Sequence, residues 1–324
     1  MIYELNKGTY VKPQNIVFKD FALEWFDGYK HNLRDTSTER YKSKINNWII
    51  PILGNYKLQD IKPVHGQMMV KKLLETLEPV TAHKTVTITK MILRHAVDLE
   101  LIIKNPFVKI SVKEKKKDIV TWSFEELTHF LDITKKYNEF YFGVFAIAAY
   151  TRLRKGEILG LEKSDIDFDN NKITVKQSVA EITEKGVYLD KVKTPSSYRQ
   201  VAIDSFISSI FKKQINKNNQ LKLGENYKDY DLIFCHPDGR IYRPSSLNRP
   251  FRNFIKQSGV PYIRFHDLRH THATLLLKMN VNPKIVADRL GHSSVKITLD
   301  TYSHSSIEMQ TEVAENFSKL ARKV

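Results

Sequence analysis

The sequence predicts a mainly helical protein of two domains: an N-terminal bundle of four helices, then a mostly helical domain carrying one small antiparallel β-sheet. Three observations predict it. Apolar residues recur at helical spacing from the first ordered stretch, as Phe18, Phe21, Ala22, Trp25, Phe26 and Tyr29. Lysines crowd a break at 113–117. Strand-like alternation is confined to a stretch between about 165 and 203. The 324 residues are enough for two cores, and an apolar content of 41% is ordinary for packed domains.

Residues 1–15 hold Gly8 and Pro13 with little periodicity, and read as a tail or the remnant of a preceding element. The first helix spans Phe18 to Tyr29. Asp35-Thr-Ser-Thr38 opens a second, with Thr36 or Ser37 as its cap; it runs to about Trp48, and Pro51 and Gly54 end it. Pro63 opens a third helix to about Leu77, and a fourth runs from about Thr81 to Leu99. The bundle therefore takes residues 16–107, a basic linker 108–118, and the second domain 119–324. In the linker Lys113, Lys115, Lys116 and Lys117 surround Glu114, a pattern expected to be solvated. Trp122-Ser123-x-x-Glu126 is a capping box that starts the second domain. The apolar run Tyr141 to Tyr150 reads as a buried helix. Asp165 to Val179 alternates around a turn at Asp169-Asn170-Asn171, and Gly186–Val192 and Gln200–Ile203 add two more strands. Helices are expected at 205–217, 245–257, 266–279 and 283–290. Ser305 to Arg322 is a final amphipathic helix with Ile307, Val313, Phe317 and Leu320 on its apolar side.

Charge narrows the partners. Fifty-two Lys and Arg against 36 Asp and Glu give a formal net charge of +16, with a pI near 9.6. That balance favours a polyanion, with nucleic acid the first candidate and an acidic membrane surface the competitor. No apolar run approaches the ~18 residues a spanning helix needs. The N-terminus lacks the charged-then-apolar pattern of a signal peptide. Cys235 is the single cysteine, which rules out a disulfide framework and a cysteine-based zinc site. These features fit a cytoplasmic protein.

The chemistry gathers near the C-terminal end. His266-Asp-Leu-Arg269 places a histidine and an arginine three apart, on one face of a helix. His292 follows in a Leu-Gly-His turn, and Tyr302 comes ten residues later. Arginine offers a planar fork to phosphate oxygens, and histidine donates a hydrogen bond or moves a proton near neutral pH. A tyrosine hydroxyl becomes a nucleophile when its attack is assisted electrostatically. Each residue alone is commoner as a structural element; their joint spacing points to a phosphate site. With Arg154 in Thr151-Arg-Leu-Arg154-Lys-Gly-Glu157, the set Arg154, His266-x-x-Arg269, Gly291-His292 and Tyr302 resembles the active site of the tyrosine recombinases, the phage and conjugative-transposon integrase family. The resemblance runs from about Phe18 to the end of the chain.

The resemblance implies a core-binding, SAM-like bundle followed by the family's catalytic domain, the two halves clamping duplex DNA. Many such integrases begin with a small arm-binding domain, for which there is no room ahead of Phe18. The implied reaction needs no cofactor and no metal. Tyr302 attacks the scissile phosphate, a 3′-phosphotyrosyl link forms, and the partner strand's 5′-hydroxyl resolves it. Arg154 and Arg269 would hold the non-bridging oxygens, His266 would act as base towards Tyr302, and His292 would donate to a phosphate oxygen. Lys193, on a hairpin turn, would protonate the leaving oxygen, with Lys191 as competitor. Glu157 would orient the cleft, and His270, His272 and His304 read as structural. Lys42, Lys44, Lys84, Lys90, Arg94, Lys115, Lys116, Lys117 and Arg243 are the expected DNA contacts. Expected partners are double-stranded attachment sites, three further copies of the chain joined through the C-terminal helix, and an excisionase or a host DNA-bending protein. The family usually has glycine where this chain has Arg152, which puts that turn and its activity in question. Three other readings remain open: a type IB topoisomerase, a zinc hydrolase built on His266, His270 and His272, and a DNA-binding protein without catalysis.

Overall fold

The computed structural model describes residues 15–114, 119–182, 185–191, 198–224 and 227–290, with a few isolated positions beyond. The chain divides into two compact units, 1–117 and 118–324.

In the first unit, α1 (Phe18–Tyr29) buries Phe18, Phe21, Ala22 and Trp25, the face its apolar spacing predicts. Helix α2 (Asp35–Lys44) begins earlier than Thr36 or Ser37 would set as caps. Arg34 is the N-cap residue and makes no side-chain cap; instead Thr38 Oγ1 donates back to the Arg34 carbonyl. Nor does Pro51 stop the helix. A π-turn over Ile45–Ile49 leads into a further helical turn, Ile50–Leu53, with Pro51 in its first turn. Proline has no N–H to give and its ring crowds the carbonyl four residues back, and a widened turn accommodates both. Helix α3 (Pro63–Thr76) and helix α4 (Pro79–Asp98) each start on a proline, so α4 begins two residues before Thr81. Ile45, Ile49, Leu53, Met69, Leu73, Ile92 and Leu93 are fully buried between these helices.

Residues 108–112, read as the start of a solvated linker, contribute to this core: Ile110 and Val112 are buried in it beside Phe107. Gly66 on α3 leaves the space they fill, since a Cβ there would lie 2.7 Å from the Ile110 side chain. The lysine count hid two apolar residues whose burial is worth about 1.5–3 kcal/mol each for side chains of this size.

The second unit opens with α5 (Phe124–Tyr137), and its capping box forms: Glu126 N donates to Ser123 Oγ at 3.2 Å and Ser123 N to Glu126 Oε2 at 2.8 Å. Helix α6 (Glu139–Thr151) is buried on nearly every side. It ends at Arg152, whose φ of +53° is left-handed. The short α7 (Lys155–Leu159) follows. Strands β1 (Ile166–Asp167), β2 (Lys172–Val175), β3 (Gln177–Ile182), β4 (Gly186–Lys191) and β5 (Arg199–Ala202) form two sheets rather than the one expected. One is β1-β2-β5, with Ile166 opposite Ile173 and Ile173 opposite Val201; the other is the hairpin β3-β4, with Val179 opposite Leu189. Strand β2 has a neighbour on each edge, so β3 cannot continue its ladder. Helix α8 (Ser205–Leu221), α9 (Asn248–Ser258), α10 (Asp267–Lys278) and α11 (Pro283–Leu290) complete the described fold. Phe130, Phe145, Ile147, Leu159, Phe211, Phe234 and Phe251 are the centre of its core. Trp122 is pinned there, its indole N–H donating to the Pro261 carbonyl at 2.8 Å and its backbone N–H to Thr271 on α10 at 3.2 Å. The expected terminal helix, Ser305 to Arg322, lies outside the described residues.

Candidate active site

Arg154, His266 and Arg269 line one cavity of about 260 Å³, together with Lys155, Gly156 and Phe265. Residues more than a hundred positions apart in sequence therefore share one concave surface. Two different constructions bring them there.

Arg154 sits in extended backbone just before α7. Its side chain is 57% exposed, and the carboxylate of Glu157 aims it: Nη1 donates to Glu157 Oε1 at 2.9 Å, and its backbone N–H donates to Oε2 at 2.8 Å. Glu157 is buried and takes a second, bidentate fork from Arg199 on β5, at 3.0 and 2.8 Å. Burial raises the Glu157 pKa, but the Arg199 fork and the bonds from Arg154 outweigh it and hold the carboxyl at about 2. Helix α7 can lie against β3 because two of its positions lack side chains. A Cβ on Gly156 would meet the Val179 carbonyl at 2.5 Å, and one on Gly160 the Ser178 Cα at 3.0 Å.

Arg269 differs in its burial. It lies in the first turn of α10 and is 9% exposed. His266 is the residue before that helix. Burial lowers its pKa first, and the neighbouring His270, Arg269 and Arg154 lower it further, against a smaller opposite pull from Asp267. The imidazole is therefore neutral at pH 7 and able to accept a proton. Asp267 is engaged by Arg264, through its backbone N–H at 2.7 Å and its guanidinium at 2.8 and 3.0 Å. His270 packs edge-on to His266, with ring centroids 5.6 Å apart.

Three of the expected catalytic residues, Lys193, His292 and Tyr302, lie outside the described residues. So do Lys115, Lys116, Lys117 and His304. Among the described residues, no group of three His, Cys, Asp or Glu side chains is placed to hold a metal ion.

The expected DNA contacts in the first unit are on α2 and α4. Lys44 reaches Thr85 at 3.5 Å. Its pKa is lowered by burial, then by the nearby charges of Lys84 and Arg40. Three cations are thus brought to one place without a carboxylate among the causes acting on Lys44, and Arg40 was not among the residues singled out. Lys42 is exposed on α2. Lys90 donates to the Val108 carbonyl at 3.2 Å, and Arg94 pairs with Asp98 at 2.9 Å, so both are engaged by their own unit. In the second unit Arg243 lies 3.7 Å from Glu181 and stays 61% exposed.

Sequence reasoning missed Arg199 and Lys155. Lys155 donates to Asn248 at 2.8 Å and lines both the Arg154 cavity and a neighbouring one of about 390 Å³ with Arg252, Tyr262 and Arg264. Its adjacency to Arg154 was a signal that went unused. Arg199 had no local signal: its partner stands 42 residues away.

Comparison with known proteins identifies the family. Residues 109–309 match the model of the phage integrase family, and residues 17–74 match its N-terminal SAM-like domain. A tyrosine recombinase XerC-like protein from Caldanaerobacter subterraneus is 29% identical over 98% of this chain and 86% of its own length. The ICEBs1 integrase of Bacillus subtilis is 29% identical over 77% of this chain and 68% of its own length. Among solved structures, the Tn1549 transposon integrase in complex with a circular intermediate DNA superposes with a TM-score of 0.81 at 20% identity, over 93% of this chain and 99% of that one. A lambda integrase tetramer bound to a Holliday junction superposes with a TM-score of 0.67 at 16% identity, over 93% of this chain and 83% of that one. At those identities the structures speak for the fold alone. The matched family model covers well over half of the sequence, and the chain belongs to the phage integrase family of tyrosine recombinases, enzymes that break and rejoin DNA.

Proposed function

We propose that this protein is a site-specific integrase that cleaves duplex DNA with Tyr302 and holds the strand as a 3′-phosphotyrosine. The observation that carries the reading is the shared cavity of Arg154, His266 and Arg269. Two guanidiniums on one concave surface suit a phosphodiester, whose non-bridging oxygens gain charge as the fifth bond forms. A neutral histidine beside them suits removal of the tyrosine proton. Lys193 protonates the 5′-oxygen as the P–O bond breaks, and His292 donates to a phosphate oxygen. The phosphodiester energy is kept in the tyrosyl link, so rejoining consumes no nucleotide. Glu157 stays out of the chemistry, since an acid held at about 2 neither gives nor takes a proton near neutral pH.

The cationic group of Lys44, Lys84 and Arg40 contacts the phosphate backbone, with Lys42, Lys90, Arg94, Arg243 and the 115–117 lysines adding contacts that give affinity rather than sequence. Exchange between two duplexes needs four cleavages, hence four protomers, which the C-terminal segment links in trans. A solved relative is a tetramer on a Holliday junction. The reaction takes place in the bacterial cytoplasm, where an excisionase or a DNA-bending protein sets its direction.

The test is a nicked suicide duplex carrying the attachment site. The wild-type chain forms a covalent adduct that resists denaturation, and Tyr302→Phe binds the same duplex but forms none. A normal adduct yield from Tyr302→Phe would remove the tyrosine from this role.

A further inference from the structure

One bidentate ion pair in the second unit belongs to no motif. Arg199, 15% exposed, gives both terminal nitrogens to Glu157, and Glu157 gives both of its oxygens to Arg154 as well. The chain of contacts thus runs from β5, through one buried carboxylate, to the guanidinium at the cavity. We propose that Arg199 is a positioning residue for strand cleavage, fixing through Glu157 where Arg154 presents its guanidinium to the scissile phosphate. The inference rests on the reading of Arg154 as a phosphate ligand given above.

Three features make positioning, rather than general stabilisation, the role. Arg154 is mostly exposed, and both bonds that hold it are donated to Glu157. Glu157 is buried and cannot turn to water for its bonds; if Arg199 leaves, two of its four contacts go with it. The geometry is also a corner brace. Arg199 stands on β5, next to β2, while α7 packs on β3 of the other sheet. The Glu157 carboxylate is where the two sheets are tied to the turn that carries Arg154. Lysine cannot replace this fork, because one ammonium cannot present two parallel N–H groups to both carboxylate oxygens.

The role carries its own signature. The charges that act on Glu157 are Arg199 from β5 and Arg154 from its own turn, and neither β3 nor α6, which also pack on α7, adds one to that balance. Without Arg199, burial dominates and the Glu157 pKa rises. A protonated Glu157 no longer holds Arg154, so cleavage by the variant fails as pH falls through that raised value, where the wild-type carboxylate stays ionised.

The experiment is single-turnover cleavage of the suicide duplex by the full chain from about pH 5 to pH 8, with duplex binding measured in parallel. We expect Arg199→Ala to cleave about 10- to 100-fold more slowly, as a misplaced catalytic group does, with unchanged affinity for DNA. Its rate climbs with pH, the added substitution Glu157→Gln removes that climb, and Arg199→Lys recovers only part of the rate. A 5′-bridging sulfur substrate, which needs no general acid, leaves the Arg199→Ala defect in place. Wild-type rate and pH profile in Arg199→Ala would overturn the inference. Full rescue by the sulfur substrate would also overturn it, because the defect would then lie with proton delivery to the leaving oxygen. If Arg199→Ala does not fold, Arg199→Lys carries the same pH readout, and a wild-type profile there overturns the inference equally. Failure of the wild-type chain to form a Tyr302-dependent adduct would strike the recombinase reading instead.

Discussion

Arg154 and Arg269 face the same cavity and are held there in opposite ways. Arg269 is buried in the first turn of α10, and the helix, packed against α6, fixes its backbone. Arg154 is exposed before a helix of five residues, and a carboxylate three residues on fixes it instead. The difference teaches where each is vulnerable. Arg269 depends on the burial that α10 gives it. Arg154 depends on one ionised group, and so on everything that keeps that group ionised.

The largest effects come from removing either guanidinium. Arg154→Ala and Arg269→Ala each lower the single-turnover cleavage rate by about 10²–10³-fold, the usual cost of one preorganised donor to a developing oxyanion. The comparison is sharpened by coupling. Glu157→Gln and Arg154→Ala act on one chain of contacts, so their combined loss is smaller than the sum of the two. Glu157→Gln and Arg269→Ala act separately and add. Measured rates of the single and double variants decide this, and full additivity in the first pair would break the distinction.

Next in size is the pH dependence of stability. The Glu157 pKa falls from an ordinary 4.5 to about 2 on folding. A depressed acid contributes stability that is present above its unfolded pKa and lost as pH falls through the folded value. The shift corresponds to about 3 kcal/mol for this buried group, lost between roughly pH 5 and pH 2. Urea unfolding of the wild type over that window should show the loss. Glu157→Gln, less stable at neutral pH, should show a correspondingly shallower decline. Equal slopes in the two proteins would mean that other carboxylates govern acid unfolding.

A third handle is the packing under Arg154. Gly156→Ala forces a methyl group to within 2.5 Å of a β3 carbonyl, a backbone atom that cannot swing aside. An overpacked contact of this kind costs about 1–3 kcal/mol. Because α7 itself must shift, cleavage by this variant falls while that of a control at the exposed Lys136 does not. Unaltered cleavage and melting in Gly156→Ala would show that α7 tolerates displacement.

These contrasts also show what a sequence exposes. The nearness of His266 and Arg269 was legible because a spacing of three encodes one helical face; that Arg154 shares their cavity followed from no spacing, only from the family resemblance. The bundle was legible because its helices carry the apolar period of Phe18 to Tyr29. Arg199 was not, because an ion pair across 42 residues leaves no local pattern. The π-turn before Pro51 was hidden for a related reason: a proline normally ends a helix, and here a widened turn with Ile45 and Ile49 buried leads into one more helical turn. The second sheet was hidden because alternation reports a strand but not its neighbour. Arg152 shows the limit of reading by analogy. The left-handed φ that favours glycine is present there, yet the arginine adopts it and is fully buried. Charge at that position was legible as unusual; that the fold encloses it was not.

The smallest expected effect lies on the Arg269 side, at His266. With His266 as the proposed base, cleavage requires a neutral imidazole, and the rate falls as pH drops through its pKa. Burial, first, and then His270, Arg269 and Arg154 place that value below the ordinary 6.5. The acid limb of wild-type cleavage therefore lies below 6.5, and the rate is flat from there towards neutrality. His270 faces His266 edge-on, and its charge is the second cause, after burial, that lowers the His266 pKa. Replacing His270 by glutamine removes that repulsion while leaving the burial of His266 largely intact. The acid limb should then move upward, towards but not reaching 6.5, because burial is the larger cause and remains. The rate at pH 8 should be unchanged, since His266 is neutral there in both proteins. A limb that stays where it was would mean that His270 does not act on His266. A limb that moves down would require His270 to stabilise the charged ring, and would exclude the neutral pair drawn from the geometry.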